Sequence, residues 1–373
     1  MKILHVYRTY FPDTPGGLQE AIRQIAISTI DHEVESRVFA LSPTPLPTFI
    51  DRPEARVIRS YSWAAPASCD LGGIDAIQNF SKLAKWADVI HYHFPWPFAD
   101  FLHLAVRPKT PAVMTYHSDI VRQRWLKRVY APVMKKMLQS MSTVVATSPA
   151  YAQTSPMLSD IVLREQIRVI PLGIDESSYP SHGDDGIIQR LRLDDNEPFF
   201  LFIGVLRYYK GLHTLIQAAA LVNARVVIAG SGSEGANLAE QVRECGINNV
   251  IFAGKVSEVE KISLLKYCRA LVLPSHLRSE AYGMVLVEAS MFSKPMISCE
   301  IGTGTSFVNA NGQTGLVVPP ENPVDLAMAM NQLASDTGLA LRYGIAARAR
   351  YEEMFSAGPL GKAYSDLYRE IAC

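Results

Sequence analysis

What most limits the fold of this chain is a rhythm. Short runs rich in branched and aromatic residues alternate with longer stretches of helical character, and the series occurs twice. The first series places strands at Lys2 to Tyr7, Glu35 to Ala40, Arg56 to Ser60, Val89 to His93, Ala112 to Tyr116, Thr143 to Thr147 and Arg168 to Pro171, with helices at Leu18 to Ile30 and Arg122 to Ser140. The second places strands at Phe199 to Gly204, Ala224 to Ala229, Val250 to Ala253, Ala270 to Pro274, Pro295 to Ser298 and Gly315 to Val318. Its helices run from Leu212 to Val222, Glu234 to Cys245, Val259 to Tyr267, Val285 to Phe292 and Pro323 to Asp336. Strands separated by helices pair in parallel, with the helices covering the sheet. The expected architecture is therefore α/β, with two Rossmann-like doubly wound domains in tandem, 1–175 and 176–356. The polar, turn-rich segment from Glu176 to Gly186 reads as a linker, and a last helix within 357–373, from Leu360 to Ile371, is expected to return to the first domain. Such sheets bind ligands beyond the carboxyl ends of their strands, so the chemistry is sought in a cleft between facing domains.

A length of 373 residues agrees with two domains, and 48% hydrophobic residues exclude a disordered chain. Thirty-six basic residues balance 36 acidic ones, which argues against a dedicated nucleic-acid binder but leaves room for a local patch. Cys69, Cys245, Cys268, Cys299 and Cys373 are scattered, with neither disulfide nor zinc spacing. The apolar start is too short for a signal peptide, and no run reaches the roughly 18 apolar residues of a membrane span. The expected location is the cytoplasm, in solution or on a membrane surface.

Gly230-Ser231-Gly232-Ser233-Glu234-Gly235 satisfies the dinucleotide fingerprint G-x-G-x-x-G between a strand and a helix. Taken alone it nominates an NAD(P)-dependent oxidoreductase. The carboxylate that should hold the ribose about 20 residues on is missing, since that strand ends in Gly254-Lys255-Val256-Ser257. A tight strand-to-helix turn accounts for the same glycines.

The stretch Leu273-Pro274-Ser275-His276-Leu277-Arg278-Ser279-Glu280-Ala281-Tyr282-Gly283-Met284-Val285-Leu286-Val287-Glu288 says more. A strand runs into a loop carrying Glu280, and a glycine turn then opens an apolar helix carrying Glu288. Amides from Gly283 to Val285 lack intrahelical partners and suit a phosphate or sugar hydroxyls. Both carboxylates can face one pocket; surface carboxylates would share the spacing, but a charge inside an apolar helix is costly unless paired. Upstream, Arg207 and Lys210 follow a strand and a glycine, placed to clamp an anion. A solvated loop is the alternative.

Taken in order, Tyr10-Phe11-Pro12 before Gly16-Gly17, Thr115-Tyr116-His117, Ile170-Pro171-Leu172-Gly173-Ile174-Asp175, Gly204 through Lys210-Gly211, the Gly230 turn and Glu280-x7-Glu288 span nearly the whole chain. This set resembles the retaining GT-B glycosyltransferases of family 4. The resemblance implies two domains facing across a cleft, a nucleotide-sugar-binding second domain and an acceptor-side first domain. It implies that Glu280 contacts donor sugar hydroxyls, that Glu288 holds the nucleotide ribose, and that amides of Gly283, Met284 and Val285 bind sugar and diphosphate. Lys210 would stabilise the departing diphosphate with a nearby arginine. Val205 stands where the family commonly has that arginine, and Arg207 is taken to supply the charge. Gly16 and Gly17 would face the diphosphate or acceptor, His117 the reacting sugar, and main chain near Lys255 and Val256 the base. A lone histidine is more often structural, but its place after Val113-Met114-Thr115-Tyr116 favours a site role.

The resemblance also implies retention, with the leaving phosphate acting as base. No Asp-x-Asp occurs anywhere in the chain, so no metal is expected, and the nucleotide-sugar donor would be a substrate with no other cofactor needed. The opening Met1 to Gln19 is most similar to bacterial enzymes of lipopolysaccharide O-polysaccharide synthesis, among them mannosyl- and rhamnosyltransferases. The donor implied is a GDP-sugar such as GDP-mannose, and the acceptor a lipid-linked or glycan chain. Between Ile120 and Ser159 stand Arg122, Arg124, Lys127, Arg128, Lys135 and Lys136 with no acidic residue before Ser159. Residues 120–140 therefore read as a basic amphipathic helix, either a contact with the inner membrane or a helix packed on the sheet with a solvated face. A non-catalytic sugar-nucleotide-binding protein would carry many of the same residues.

Overall fold

The computed structural model describes residues 1–66, 69–119, 124–193 and 197–372, with 124–129 and 161 described as backbone alone. The chain forms two compact units, Met1–Asp175 together with Ala357–Cys373, and Glu176–Ser356.

Among the described residues the first unit holds a nine-stranded sheet. Its strands are β1 (Lys2–Val6), β2 (Glu35–Ser42), β3 (Phe49–Asp51), β4 (Arg56–Ala64), β5 (Leu71–Gly72), β6 (Val89–Phe94), β7 (Ala112–Tyr116), β8 (Thr143–Ala146) and β9 (Ile167–Val169). The order β3-β4-β2-β1-β6-β7-β8-β9 puts β1 and β6 in the middle, with β5 pairing with β4. These central strands are covered on both faces: Ile3, Leu4, Val6, Val89 and Ile90 are fully buried, and the histidines His5, His91 and His93 are buried among them. Two short strands depart from the all-parallel expectation. β3 and β5 pair antiparallel with β4; at three and two residues they are too short to show a periodicity.

The last helix, Ala357–Ala372, packs against the first, Gly17–Ser28. Gly361 makes that crossing close, since a Cβ there would lie 1.9 Å from the Ser28 carbonyl oxygen. Tyr364 and Tyr368 reach from the last helix to Thr115 and His91 of the sheet.

Among the described residues the second unit holds a six-stranded, wholly parallel sheet. Its strands are β10 (Phe199–Ile203), β11 (Arg225–Ala229), β12 (Val250–Gly254), β13 (Ala270–Leu273), β14 (Met296–Cys299) and β15 (Gly315–Val318), in the order β12-β11-β10-β13-β14-β15. The chain moves outward from β10 to β12, then returns to place β13 on the other side of β10. The switch point between β10 and β13 is where a sheet of this kind leaves a crevice at its carboxyl edge.

The segment from Glu176 to Gly186 is not a free linker. Glu176 pairs with Arg348, the Asp184 amide donates to the Val259 carbonyl, and Asp185 accepts from Ser263 and Tyr267. Its polarity reflects bonds to the second unit rather than solvation alone.

Candidate functional site

Glu280 and Lys210 meet at the β10/β13 switch point. Lys210 closes a 3-10 turn, Tyr208–Lys210, after β10, and Gly211 follows with φ +69. A Cβ on Gly211 would lie 2.0 Å from the Pro274 carbonyl oxygen, so glycine lets the loops after β10 and β13 touch. Lys210 Nζ consequently forms an ion pair with Glu280 Oε2, and Ser275 Oγ donates to the same oxygen at 3.1 Å. Both charged side chains are nearly buried, 12% and 10% exposed. Burial works against the Lys210 charge, but the Glu280 carboxylate outweighs it and holds the ammonium above its usual range. The loop is fixed from behind, where Thr303 Oγ1 donates to the Glu280 carbonyl at 2.8 Å.

Glu288 lies in the apolar helix Met284–Met291, and its charge is paired. Oε1 accepts from Lys261 Nζ at 2.8 Å and from Tyr179 Oη at 2.6 Å. Lys261 belongs to the helix Glu258–Tyr267, whose start is set by a capping box of Ser257 and Glu260. Despite its burial, Lys261 is held above the usual lysine range by Glu288 and Glu258. Gly283, at φ +84, turns the chain into the Glu288 helix, so amides of Gly283, Met284 and Val285 stand at its positive end. Sequence reasoning missed Lys261 and Tyr179. The charge of Glu288 inside an apolar helix signalled that a partner existed, without saying which.

The other second-unit candidates are more open. Arg207 is exposed, yet close enough for its charge to oppose that of Lys210. Lys255 is exposed and Val256 half-buried, just after β12. The glycine fingerprint serves packing: a Cβ on Gly230 would lie 1.9 Å from the Gly204 carbonyl oxygen, and one on Gly232 2.3 Å from that of Leu206. These glycines let the turns after β10 and β11 lie backbone to backbone, where Leu206 N donates to Ser231 O at 3.0 Å.

In the first unit, Gly16 and Gly17 open the helix Gly17–Ser28. Both are exposed, and a Cβ on Gly17 would meet nothing within 4 Å. Close packing inside this chain does not call for that glycine. His117 follows β7, is 7% exposed, and binds His93 through Nε2 at 3.0 Å. Burial lowers its pKa to about 3, so the ring is neutral at physiological pH and acts as a hydrogen-bonding group rather than a cation.

The basic stretch is a helix, Arg124–Gln139, with Pro132 inside it. Met134, Met137 and Leu138 are buried while Lys135 and Lys136 are exposed. Ile120 and Arg122, and the side chains of Arg124, Lys127 and Arg128, lie outside the described residues. Among the described residues no helix is long and apolar enough to cross a membrane.

Among the described residues two clusters bring three possible metal-ligating atoms within 4.8 Å of one another: His5, His91 and His93 in the first unit, and His213, His276 and Glu321 in the second. Each ring nitrogen of His5, His91 and His93 already has a hydrogen-bond partner. His276 differs: neither nitrogen has a hydrogen-bond partner, Glu321 Oε1 lies 4.0 Å from Nε2, and the ring meets those of Tyr208 and His213 edge-on.

Comparison with known proteins identifies the family. Residues 16–173 match the family described as glycosyl transferase 4-like domain, and residues 184–350 match glycosyl transferases group 1. The chain is 40% identical over 371 residues to the O-antigen chain mannosyltransferase C of Escherichia coli, covering 100% of this chain and 99% of the relative. It is 42% identical over 357 residues to the D-rhamnosyltransferase WbpZ of Pseudomonas aeruginosa, covering 96% and 93%. Among solved structures, sucrose-phosphate synthase from Thermosynechococcus elongatus superposes with a TM-score of 0.80 at 22% identity, over 99% of this chain and 98% of that one. HepE from Anabaena, in complex with UDP, superposes with a TM-score of 0.79 at 20% identity, over 99% and 100%. These two show the shared fold. The chain is therefore a glycosyltransferase of the GT-B fold, a member of the group 1 family with a 4-like first domain.

Proposed function

We propose that this enzyme transfers a hexose, mannose or rhamnose, from a GDP-sugar to a lipid-linked or glycan acceptor in O-antigen synthesis, with retention of configuration and without a metal. The observation that carries the reading is the paired arrangement of Glu280 with Lys210 and Glu288 with Lys261 on either side of the Met284–Met291 helix start. The names of the relatives in Escherichia coli and Pseudomonas aeruginosa support the choice of sugar and pathway.

In this reading Glu288 accepts from the ribose hydroxyls through Oε2, since Oε1 is taken by Lys261 and Tyr179. The diphosphate lies on the amides of Gly283, Met284 and Val285, the base near Lys255 and Val256, and Glu280 contacts the sugar. Gly16 and Gly17 admit the diphosphate or the acceptor, and His117 contacts the reacting sugar. As the bond from the anomeric carbon to the diphosphate breaks, its electron pair goes to the phosphate oxygen. Lys210 and Arg207 meet that growing charge and stabilise the transition state more than the ground state. The acceptor oxygen bonds to the same face of the carbon, and its proton passes to the departing phosphate. The absence of Asp-x-Asp supports transfer without a metal. The enzyme works in the cytoplasm, with 120–140 resting on the inner membrane.

A thermal-shift series of GDP-, UDP- and ADP-sugars tests the donor, because a ligand of the folded state raises the melting temperature by mass action. GDP-mannose or GDP-rhamnose should give the largest shift. A larger shift with a UDP-sugar would overturn the GDP assignment, and activity lost to a chelator and restored by a divalent ion would overturn metal independence.

A further inference from the structure

Four histidines lie side by side in the core of the first unit. His5 on β1 stands opposite His91 on β6 in the parallel register, His93 is two residues further along, and His117 follows β7. Buried polar groups on central strands need partners, and three of these rings find them in one another. His5 Nδ1 lies 3.1 Å from His93 Nε2, and His93 Nδ1 lies 3.0 Å from His117 Nε2. At the far end His5 Nε2 lies 3.5 Å from Ser36 Oγ. We propose that His5 and His93 are positioning residues that couple the tautomer of His117 to their own, so that the three rings share one proton arrangement and the role of His117 Nδ1, donor or acceptor, is set by the whole chain rather than by His117 alone.

A neutral imidazole has one N–H and one lone pair. Burial keeps all three rings neutral, with His5 and His117 lowered to about 3 and His93 well below its ordinary value. Each contact then needs one donor and one acceptor, and the contacts run head to tail. If His5 carries its proton on Nδ1, so must His93, and so must His117, whose Nδ1 then donates. If His117 carries its proton on Nε2, the same holds back to His5, and His117 Nδ1 accepts. A mixed arrangement sets two N–H groups or two lone pairs face to face in a dry core. The Ser36 hydroxyl closes the chain in either sense. No proton is passed to substrate; what is coupled to the distant rings is the hydrogen-bonding role of His117. His91 lies close, with ring centroids 4.1 Å from His93, but stands outside this chain because its nitrogens bind Tyr368 Oη and Thr115 Oγ1, each at 2.7 Å.

The catalytic consequence rests on the reading of His117 as a sugar contact, so the test has one readout that does not. In the full chain labelled with 15N-histidine, long-range 1H–15N correlation should assign the same tautomer to His5, His93 and His117. His5→Phe, which keeps a flat ring in place but offers no nitrogen to His93 Nε2, should shift the tautomer ratio of His117 away from that of the native protein. It should lower kcat about tenfold with the donor KM unchanged, the scale of one misdirected hydrogen bond. Tyr368→Phe, which removes a buried histidine contact outside the chain of three, should leave the His117 signal alone. Unlike tautomers in the unsubstituted protein, or a His117 signal indifferent to His5→Phe, would overturn the coupling. A His117 signal that follows His5 while turnover does not would retain the coupling and overturn the sugar contact.

Discussion

Lys261 Nζ lies 2.8 Å from Glu288 Oε1, with each side chain only 12% exposed. The pair joins two helices and leaves one carboxylate oxygen for a ligand. Lys261→Ala leaves the buried Glu288 carboxylate without its cation, held by the Tyr179 hydroxyl, and losing one partner of such a pair costs about 3–5 kcal/mol. Urea unfolding should show that loss, and calorimetry should show weaker nucleotide binding. Glu288→Ala should also weaken nucleotide binding, so a Lys261 variant that binds as tightly as the native enzyme would separate the lysine from the site.

Lys210 is a different case, because its charge is needed when the diphosphate departs. Lys210→Ala should lower kcat by roughly 10²–10³, the usual effect of removing one transition-state charge partner. Donor affinity, measured by equilibrium binding, should change far less. Equal losses in both would make Lys210 a ground-state contact.

Two glycines should respond in opposite ways. Gly230→Ala forces a Cβ to within 1.9 Å of the Gly204 carbonyl oxygen and should cost about 3 kcal/mol or more. Gly17→Ala meets nothing within 4 Å and should leave the melting temperature close to that of the native chain. Its transfer rate should nevertheless fall by about tenfold or more if a ligand approaches that backbone. NADH fluorescence should be unchanged by either protein.

Asp100 is 1% exposed and accepts a hydrogen bond from Tyr130 Oη. Burial pushes its carboxyl up to about 8. The folded state therefore holds a proton that the unfolded state releases near pH 4, and its contribution to stability declines as pH rises from there to about 8. The buried histidines act in the opposite sense, but only below their unfolded value of 6.5. Between pH 6.5 and 8 the native chain should lose stability relative to Asp100→Asn by about 1.4 kcal/mol per pH unit at most. Denaturant titrations at several pH values measure this difference.

The basic helix gives a prediction about membranes. Changing Arg124, Lys127 and Arg128 together to Glu should abolish binding to monolayers containing anionic phospholipid, since each basic residue at such a surface contributes about 1 kcal/mol. Retained binding would remove the membrane contact from the proposal.

Much of this protein is written locally. Short, mostly apolar runs mark β1, β10 and β13 because a strand buried on both faces is predominantly apolar. Glu280-x7-Glu288, Lys210 and the glycine turns are likewise legible, being short patterns whose spacing places them at strand ends and helix starts. The tertiary structure decided which side chains meet. Lys261 and Tyr179 stand 27 and 109 residues from Glu288, and His5 stands 88 from His93. No local period encodes such pairs. β3 and β5 exist through their pairing with β4, and the segment after Asp175 reads as a linker until its bonds to Val259, Ser263 and Glu288 are seen. Sequence periodicity records whether a residue faces the core; the packing of distant elements chooses its neighbour, and at this site the neighbours set the charge, the proton and the free lone pair.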